Sequence, residues 1–165
     1  MSKNVGKKFE EDISKSVPDT CWLYRLRDNA SSFSGGNNTR FASSNICDFI
    51  MLDDTTKTLF LLELKSTKST SIPLSMIRQN QIEGLLKASS HNLKAGFIVN
   101  FRNKNNDTFF ITIGNFNIMI NSLSKKSFNV SDLENFGAIR IYNELRRTRY
   151  RYNINELISE VIIYD

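Results

Sequence analysis

Charged residues set inside apolar strands constrain this chain more than any other feature. The run Leu59-Phe60-Leu61-Leu62 reads as a buried β-strand and leads straight into Glu63-Leu64-Lys65. Residues two apart on a strand point to the same face. A carboxylate and an ammonium are therefore expected to project side by side from the sheet. Upstream, Asp48 sits within a second apolar run, Ile46-Cys47-Asp48-Phe49-Ile50-Met51-Leu52. The segment Asp53-Asp54-Thr55-Thr56-Lys57 between the runs has the composition of a hairpin turn, which would bring Asp48 beside Glu63. Burying a charge without a partner is costly, so this pattern asks for a compensating cation. The competing reading is a Glu63–Lys65 pair on the solvated face of a hairpin, because E-x-K alone is a common tripeptide.

Two acids and a lysine are the residue types that metal-dependent phosphodiester cleavage uses. Carboxylates supply the hard oxygen ligands that Mg²⁺ prefers, with Mn²⁺ as an alternative ion. A divalent ion activates water and offsets charge on the phosphorane-like transition state. Lys65 would orient or deprotonate the attacking water, or stabilise the developing anion.

The chain has 165 residues, 40% hydrophobic and 24% charged, which predicts a single domain over 1–165 with a core large enough to fold without staples. No apolar run approaches the ~20 residues of a membrane span, and the polar, lysine-bearing N-terminus lacks a signal-peptide pattern. A cytoplasmic location without membrane partners is the expectation. Cys21 and Cys47 lack metal-ligand spacing and read as buried thiols in a reducing compartment. His91 is the only histidine, which argues against a His-based triad or zinc site and suits a turn. The net charge of +5 favours a polyanionic partner. Arg140, Arg146, Arg147, Arg149 and Arg151 crowd one segment, opposed locally by Glu144 alone. That strip suits phosphate contacts or, equally, an edge strand blunted by charge.

Along the chain, residues 4–16 predict an amphipathic helix with Val5, Phe9 and Ile13 on one face, ended by Pro18. Residues 21–27 read as a strand. Residues 28–45, rich in Ser, Asn and Gly, read as a long loop of the functional or disordered kind. Arg25, Arg27 and Arg40 at its base are candidate phosphate contacts. Phe33 and Phe41 are candidates for base stacking or wedging, although packing against the body is preferred for Phe41. After the two acid-bearing strands comes a polar loop at 66–71, then a helix predicted over Leu74–Ser89 with Ile77, Gln81, Leu85 and Ala88 on one face. Gln81 interrupts that apolar stripe, either as a satisfied core amide or as a metal-shell oxygen. Residues 95–101 predict a central strand, 107–113 its hairpin partner, 116–123 and 131–136 short helices, and 154–162 a last helix. Residues 139–152 are ambiguous between helix and strand. The order implies an α/β fold with a central mixed β-sheet flanked by helices.

These motifs, in this order, resemble the RecU family of Holliday junction resolvases within the PD-(D/E)xK nuclease superfamily. Asn4-Val5-Gly6-Lys7-Lys8-Phe9-Glu10 is similar to the family's opening N-x-G-x-x-x-E. Asp48 corresponds to its metal-binding aspartate, and Glu63-Leu64-Lys65 to its E-x-K. Ile72-Pro73-Leu74 with Gln81-Ile82 resembles its F-P-L…H-Q-I helix, and Ala95-Gly96-Phe97-Ile98-Val99 its following strand. The resemblance runs from about Asn4 to Phe101.

What the resemblance implies is a restriction-endonuclease-like core in which Asp48, Glu63 and Gln81 bind Mg²⁺ and Lys65 acts in catalysis. Glu10 would support the site, through Lys65 or a second metal. Residues 28–45 would occupy the place of the family's stalk, which enters a four-way junction. A homodimer making paired symmetric nicks is implied, with a recombinase as a candidate partner, in a bacterial or phage-infected bacterial cell. Arg78, just before Gln81, joins the candidate DNA contacts. The family has a threonine two residues before its aspartate where this chain has Ile46, whose side chain cannot ligate; a backbone carbonyl or water would complete the shell. The alternatives are a restriction-like or repair endonuclease and a non-catalytic DNA-structure-binding regulator.

Overall fold

The computed structural model describes residues 5–26 and 45–163. The loop candidates Arg27, Arg40, Phe33 and Phe41 lie outside the described residues. Helix α1 (Val5–Ser14) buries Phe9 and Ile13. Strands β1 (Cys21–Arg25), β2 (Phe49–Asp53) and β3 (Thr58–Thr67) then run antiparallel in turn. The β2–β3 turn forms where expected. The Asp53 carboxylate accepts the Thr55 and Thr56 amides at 3.4 and 3.0 Å, and Lys57 takes a left-handed φ of 57° to close it.

After β3 come β4 (Ser71–Pro73), helix α2 (Gln79–Ser89) and β5 (Lys94–Phe101), which returns parallel to β3. A β–helix–β crossover of this kind makes the sheet mixed. β6 (Asp107–Thr112) follows antiparallel, then α3 (Ile113–Ser122), β7 (Ser127–Asn129), α4 (Val130–Asn135) and β8 (Ile139–Arg140). The hairpin β9 (Asn143–Arg146) and β10 (Arg149–Tyr152) precedes α5 (Ile154–Ile163). The main sheet has the order β1-β2-β3-β5-β6-β8. Among the described residues no helix is long and apolar enough to cross a membrane.

Helices cover both faces. Leu61, Phe97, Val99 and Ile111 pack with Leu85, Phe116 and Met119 of α2 and α3. On the other face Leu62, Leu64, Ile98 and Phe110 pack with α1 and α5 through Phe9, Ile13, Leu157 and Ile158. Each such fully buried side chain contributes about 1.5–3 kcal/mol. The alternation along β3 follows: odd-numbered residues face α2, and even-numbered residues face α1.

Three expectations are corrected. The helix predicted from Leu74 begins only at Gln79. Leu74–Met76 is a single tight turn, and Ile77 and Arg78 are extended with ψ of 122° and 139°. The cause is tertiary: β4 pairs with β7 and the Leu74 amide bonds Lys126 O at 2.9 Å, so the chain cannot coil there. Ile77 therefore leaves the α2 stripe. The loop predicted from residue 66 begins later, because β3 continues beside β5 as far as the Thr67–Phe101 pair. Cys21 is half-exposed rather than buried, being on the edge strand; Cys47 is buried, and both are free thiols. The basic segment, opposed locally by Glu144 alone, also meets acids from other elements: Arg149 bonds Glu11 and Asp12, and Arg140 bonds Asp107 and Glu134. The ambiguous stretch 139–152 is β-structure, and His91 lies exposed in a turn.

Candidate active site

Asp48 stands one residue before β2, yet its backbone continues the ladder: its amide bonds Leu62 O at 3.1 Å, and Leu26 N bonds its carbonyl at 2.8 Å. Phe49 pairs with Leu62, so one further step of the same antiparallel register sets Asp48 opposite Glu63. Opposed residues on paired strands share a face. The Leu64 amide donates to Asp48 Oδ2 at 2.7 Å, which ties the aspartate to the residue between Glu63 and Lys65.

Glu63 is only 4% exposed. Lys65 Nζ donates to its Oε1 at 2.8 Å, and Gln81 Nε2 donates to the same oxygen at 2.6 Å. Lys65 also donates to Gln81 Oε1 at 3.2 Å. Acid, amine and amide thus close a small ring under the start of α2. Gln81 is the third residue of that helix, and its Oε1 also accepts the Arg78 amide at 3.2 Å, capping the helix end. Burial, and then the neighbouring charge of Asp48, push the Glu63 carboxyl up to about 7 against the opposing pull of Lys65. Burial likewise pushes the Cys47 thiol up to about 12, with the charges of Glu63 and Asp48 adding to it.

This cluster holds two acids against one lysine and is built from hard oxygen donors. Those properties suit a divalent cation of the Mg²⁺ type. Among the described residues no three His, Cys, Asp or Glu side chains are arranged to hold a metal ion by themselves; the two acids would rely on an amide, a backbone carbonyl or water for further ligands. Ile46 does not point to such a role. It packs on α2 at Gly84, where an added β-carbon would lie 2.3 Å from Ile46 Cγ2.

The remaining candidates separate. Glu10 pairs with Arg25 at 2.6 Å, not with Lys65. Arg78 is exposed beside the α2 start. Arg146 pairs with Glu144 at 3.1 Å, and Arg147 sits exposed at the hairpin turn with φ 57°. Arg149 is drawn into α1 by Glu11 and Asp12.

The family model described as Recombination protein U, RecU, matches residues 24–154. The chain belongs to the RecU family. This RecU-family chain is 30% identical over 177 residues to the SPbeta prophage-derived uncharacterized protein YotM of Bacillus subtilis (strain 168), covering 98% of this chain and 88% of the relative. Its fold is similar to that of Hjc, a Holliday junction resolvase from Archaeoglobus fulgidus, with TM-score 0.52 and 15% identity, over 82% of this chain and 95% of the other. The core is thus restriction-endonuclease-like, a mixed six-stranded sheet between helices.

Sequence reasoning missed two features. The lysine–glutamine bridge needed α2 to start at Gln79. The polar network around Asn100 and Asn106 had one visible signal, an asparagine inside the apolar run 95–101.

Proposed function

We propose that this RecU-family protein is a structure-specific endonuclease that resolves four-way DNA junctions, dependent on Mg²⁺ (or Mn²⁺) and acting as a homodimer that makes paired, symmetric nicks with 5′-phosphate products. The observation that carries the reading is the buried ring of Glu63, Lys65 and Gln81 with Asp48 across the strand pair. Asp48 and Glu63 would hold the cation, with Gln81 beside them. A bound divalent ion supplies charge neutralisation at the scissile phosphate and a more acidic water.

The chain's own groups do the positioning. Gln81 fixes the Glu63 carboxylate and the Lys65 ammonium in one arrangement before substrate arrives, which lowers reorganisation during the reaction. Lys65, 13% exposed at its side chain, presents a proton donor and positive charge next to the acid. Asp48 is oriented by the Leu64 amide. Arg25, Arg78, Arg146 and Arg147 are exposed and suit backbone phosphate contacts. Glu10 acts through Arg25 rather than Lys65. Two copies related by a two-fold axis match the symmetry of a junction and set two sites on opposing strands. The protein is a single nuclease domain in this reading, acting in the bacterial or phage-infected cytoplasm.

The test compares cleavage of a synthetic four-way junction and matched linear duplex by wild type and Asp48→Ala. Wild type should nick the junction symmetrically only with the divalent ion. Asp48→Ala and Glu63→Ala should bind the junction and not cut it. Equal cutting of linear duplex would replace junction resolution with a general endonuclease, and normal cutting by Asp48→Ala would remove the metal assignment.

A further inference from the structure

Arg102 is the group that the site leaves unexplained. It follows β5 directly, its amide bonding Thr67 O at 2.8 Å, and its Nε and Nη1 are buried without any hydrogen-bond partner. Buried guanidinium donors are normally matched to acceptors. Arg102 lines a hollow of about 310 Å³ formed by α1, the end of β5 and the β10 strand, together with Lys8 and Lys68.

The rest of the hollow is already satisfied. Asn100 Nδ2 donates to Asn106 Oδ1 and Thr108 Oγ1, each at 2.9 Å, and its Oδ1 accepts Ser66 Oγ at 3.0 Å. Asn106 Nδ2 donates in turn to Tyr152 Oη at 3.1 Å. The wall's single acid, Asp12, is held by Arg149 and by the Tyr150 amide at 3.4 Å. No described carboxylate forms an ion pair with Lys8, Lys68 or Arg102. Lys8, Lys68 and Arg102 therefore line one hollow whose polar side chains are already bonded to one another, and a compact oxyanion is the ligand that chemistry fits. The space holds roughly ten waters' worth of volume, enough for a phosphate with its attached sugar.

The position is informative. Glu63 and Lys65 face α2, while Ser66 and Asn100 face α1, so the hollow lies across the sheet from the carboxylates at the same strand ends. We propose that Lys8, Lys68 and Arg102 form a phosphate seat that grips a backbone phosphate of the DNA whose scissile bond lies on the opposite face. The DNA source of that phosphate rests on the nuclease reading; the phosphate chemistry does not.

The experiment uses the full chain and has two arms. In the first, inorganic phosphate is titrated at constant ionic strength, with chloride as control, and thermal melting is followed. Melting temperature should rise with phosphate in wild type and stay flat in Lys8→Ala/Lys68→Ala and in Arg102→Gln. In the second, four-way junction binding is measured against salt without divalent ion. The double lysine variant should bind about tenfold more weakly, with a log–log salt slope smaller by about one to two. Lys57→Ala/Lys87→Ala, an equal loss of charge elsewhere, should alter binding far less. The lysine variant keeps the test readable if Arg102→Gln fails to fold. A phosphate response that survives the substitutions overturns the seat. A response that vanishes while DNA affinity and slope hold assigns the seat to free phosphate and overturns the backbone contact, as does a control variant that weakens binding equally. A wild type that cuts nothing would sink the nuclease reading and still leave the phosphate arm to be read.

Discussion

Gln81 Nε2 lies 2.6 Å from Glu63 Oε1 while the oxygen of the same amide receives Lys65 Nζ at 3.2 Å. One side chain from α2 therefore sets the spacing of an acid and an amine on β3. Replacing it removes three hydrogen bonds, those to Glu63, Lys65 and the Arg78 amide, without touching either charge. Gln81→Met, which keeps volume, should lower single-turnover junction cleavage roughly 10–100-fold, the usual cost of losing a group that orients a metal-site residue. The destabilisation should stay near 1–2 kcal/mol. Rates and urea midpoints measured together test this; full activity in a folded variant would show that the amide orients nothing.

The raised Glu63 carboxyl makes stability depend on pH in a particular direction. In the unfolded chain it titrates near its ordinary 4.5, and in the fold near 7, because burial and Asp48 disfavour its charge. The folded state therefore holds the proton more tightly. Its contribution is fully present below the ordinary value and is lost as pH rises through about 7, on the order of 3 kcal/mol. Metal-free protein should melt at a higher temperature at pH 5 than at pH 8, and Glu63→Gln should flatten that difference. Mg²⁺ should raise the pH 8 melting temperature of wild type and have no effect on Glu63→Gln or Asp48→Ala. A metal response that persists in both variants would place the ion elsewhere.

Gly84 of α2 meets Ile46 so closely that a β-carbon there would lie 2.3 Å from Ile46 Cγ2 and 2.7 Å from its Cβ. In an exposed helix alanine gains about 1 kcal/mol over glycine. Here the contact involves Ile46 near its own backbone, two residues before Asp48, so relief must move the chain that carries the aspartate. Gly84→Ala should lower both the melting temperature and the cleavage rate, the latter about tenfold. Gly84→Ala with Ile46→Ala should recover much of the rate. A single variant more stable than wild type and fully active would show that the interface yields freely.

The acid-bearing strands were legible because a charge inside an apolar run has few cheap explanations, and because Asp53 and its threonines are strong turn formers. The register that opposes Asp48 and Glu63 follows from those two facts. The start of α2 was not legible. Leu74 and Ile77 fit a helical stripe perfectly well, and only the pairing of Ser71–Pro73 with Ser127–Asn129, more than fifty residues away, prevents it. Arg149 illustrates the same limit. As a sequence it belongs to a basic strip; in space it reaches Glu11 and Asp12 across more than 130 residues.

That contact separates Arg149 from its neighbours in a testable way. Asp12 is 5% exposed at its side chain and has Arg149 as its ion-pair partner, while Arg146 and Arg147 are exposed on the hairpin. Removing Arg149 leaves a buried carboxylate uncompensated at the joint between α1 and β10, which is more damaging than losing the pair as a whole. Arg149→Met should lower the melting temperature by several degrees, and adding Asp12→Asn should restore part of it. Arg146→Ala/Arg147→Ala should leave melting within about a degree, as surface substitutions do, and weaken junction binding with a reduced salt slope. Should Arg149→Met keep wild-type stability and lose DNA affinity instead, the guanidinium belongs to the DNA surface, and the ion pair with Asp12 is incidental to the fold.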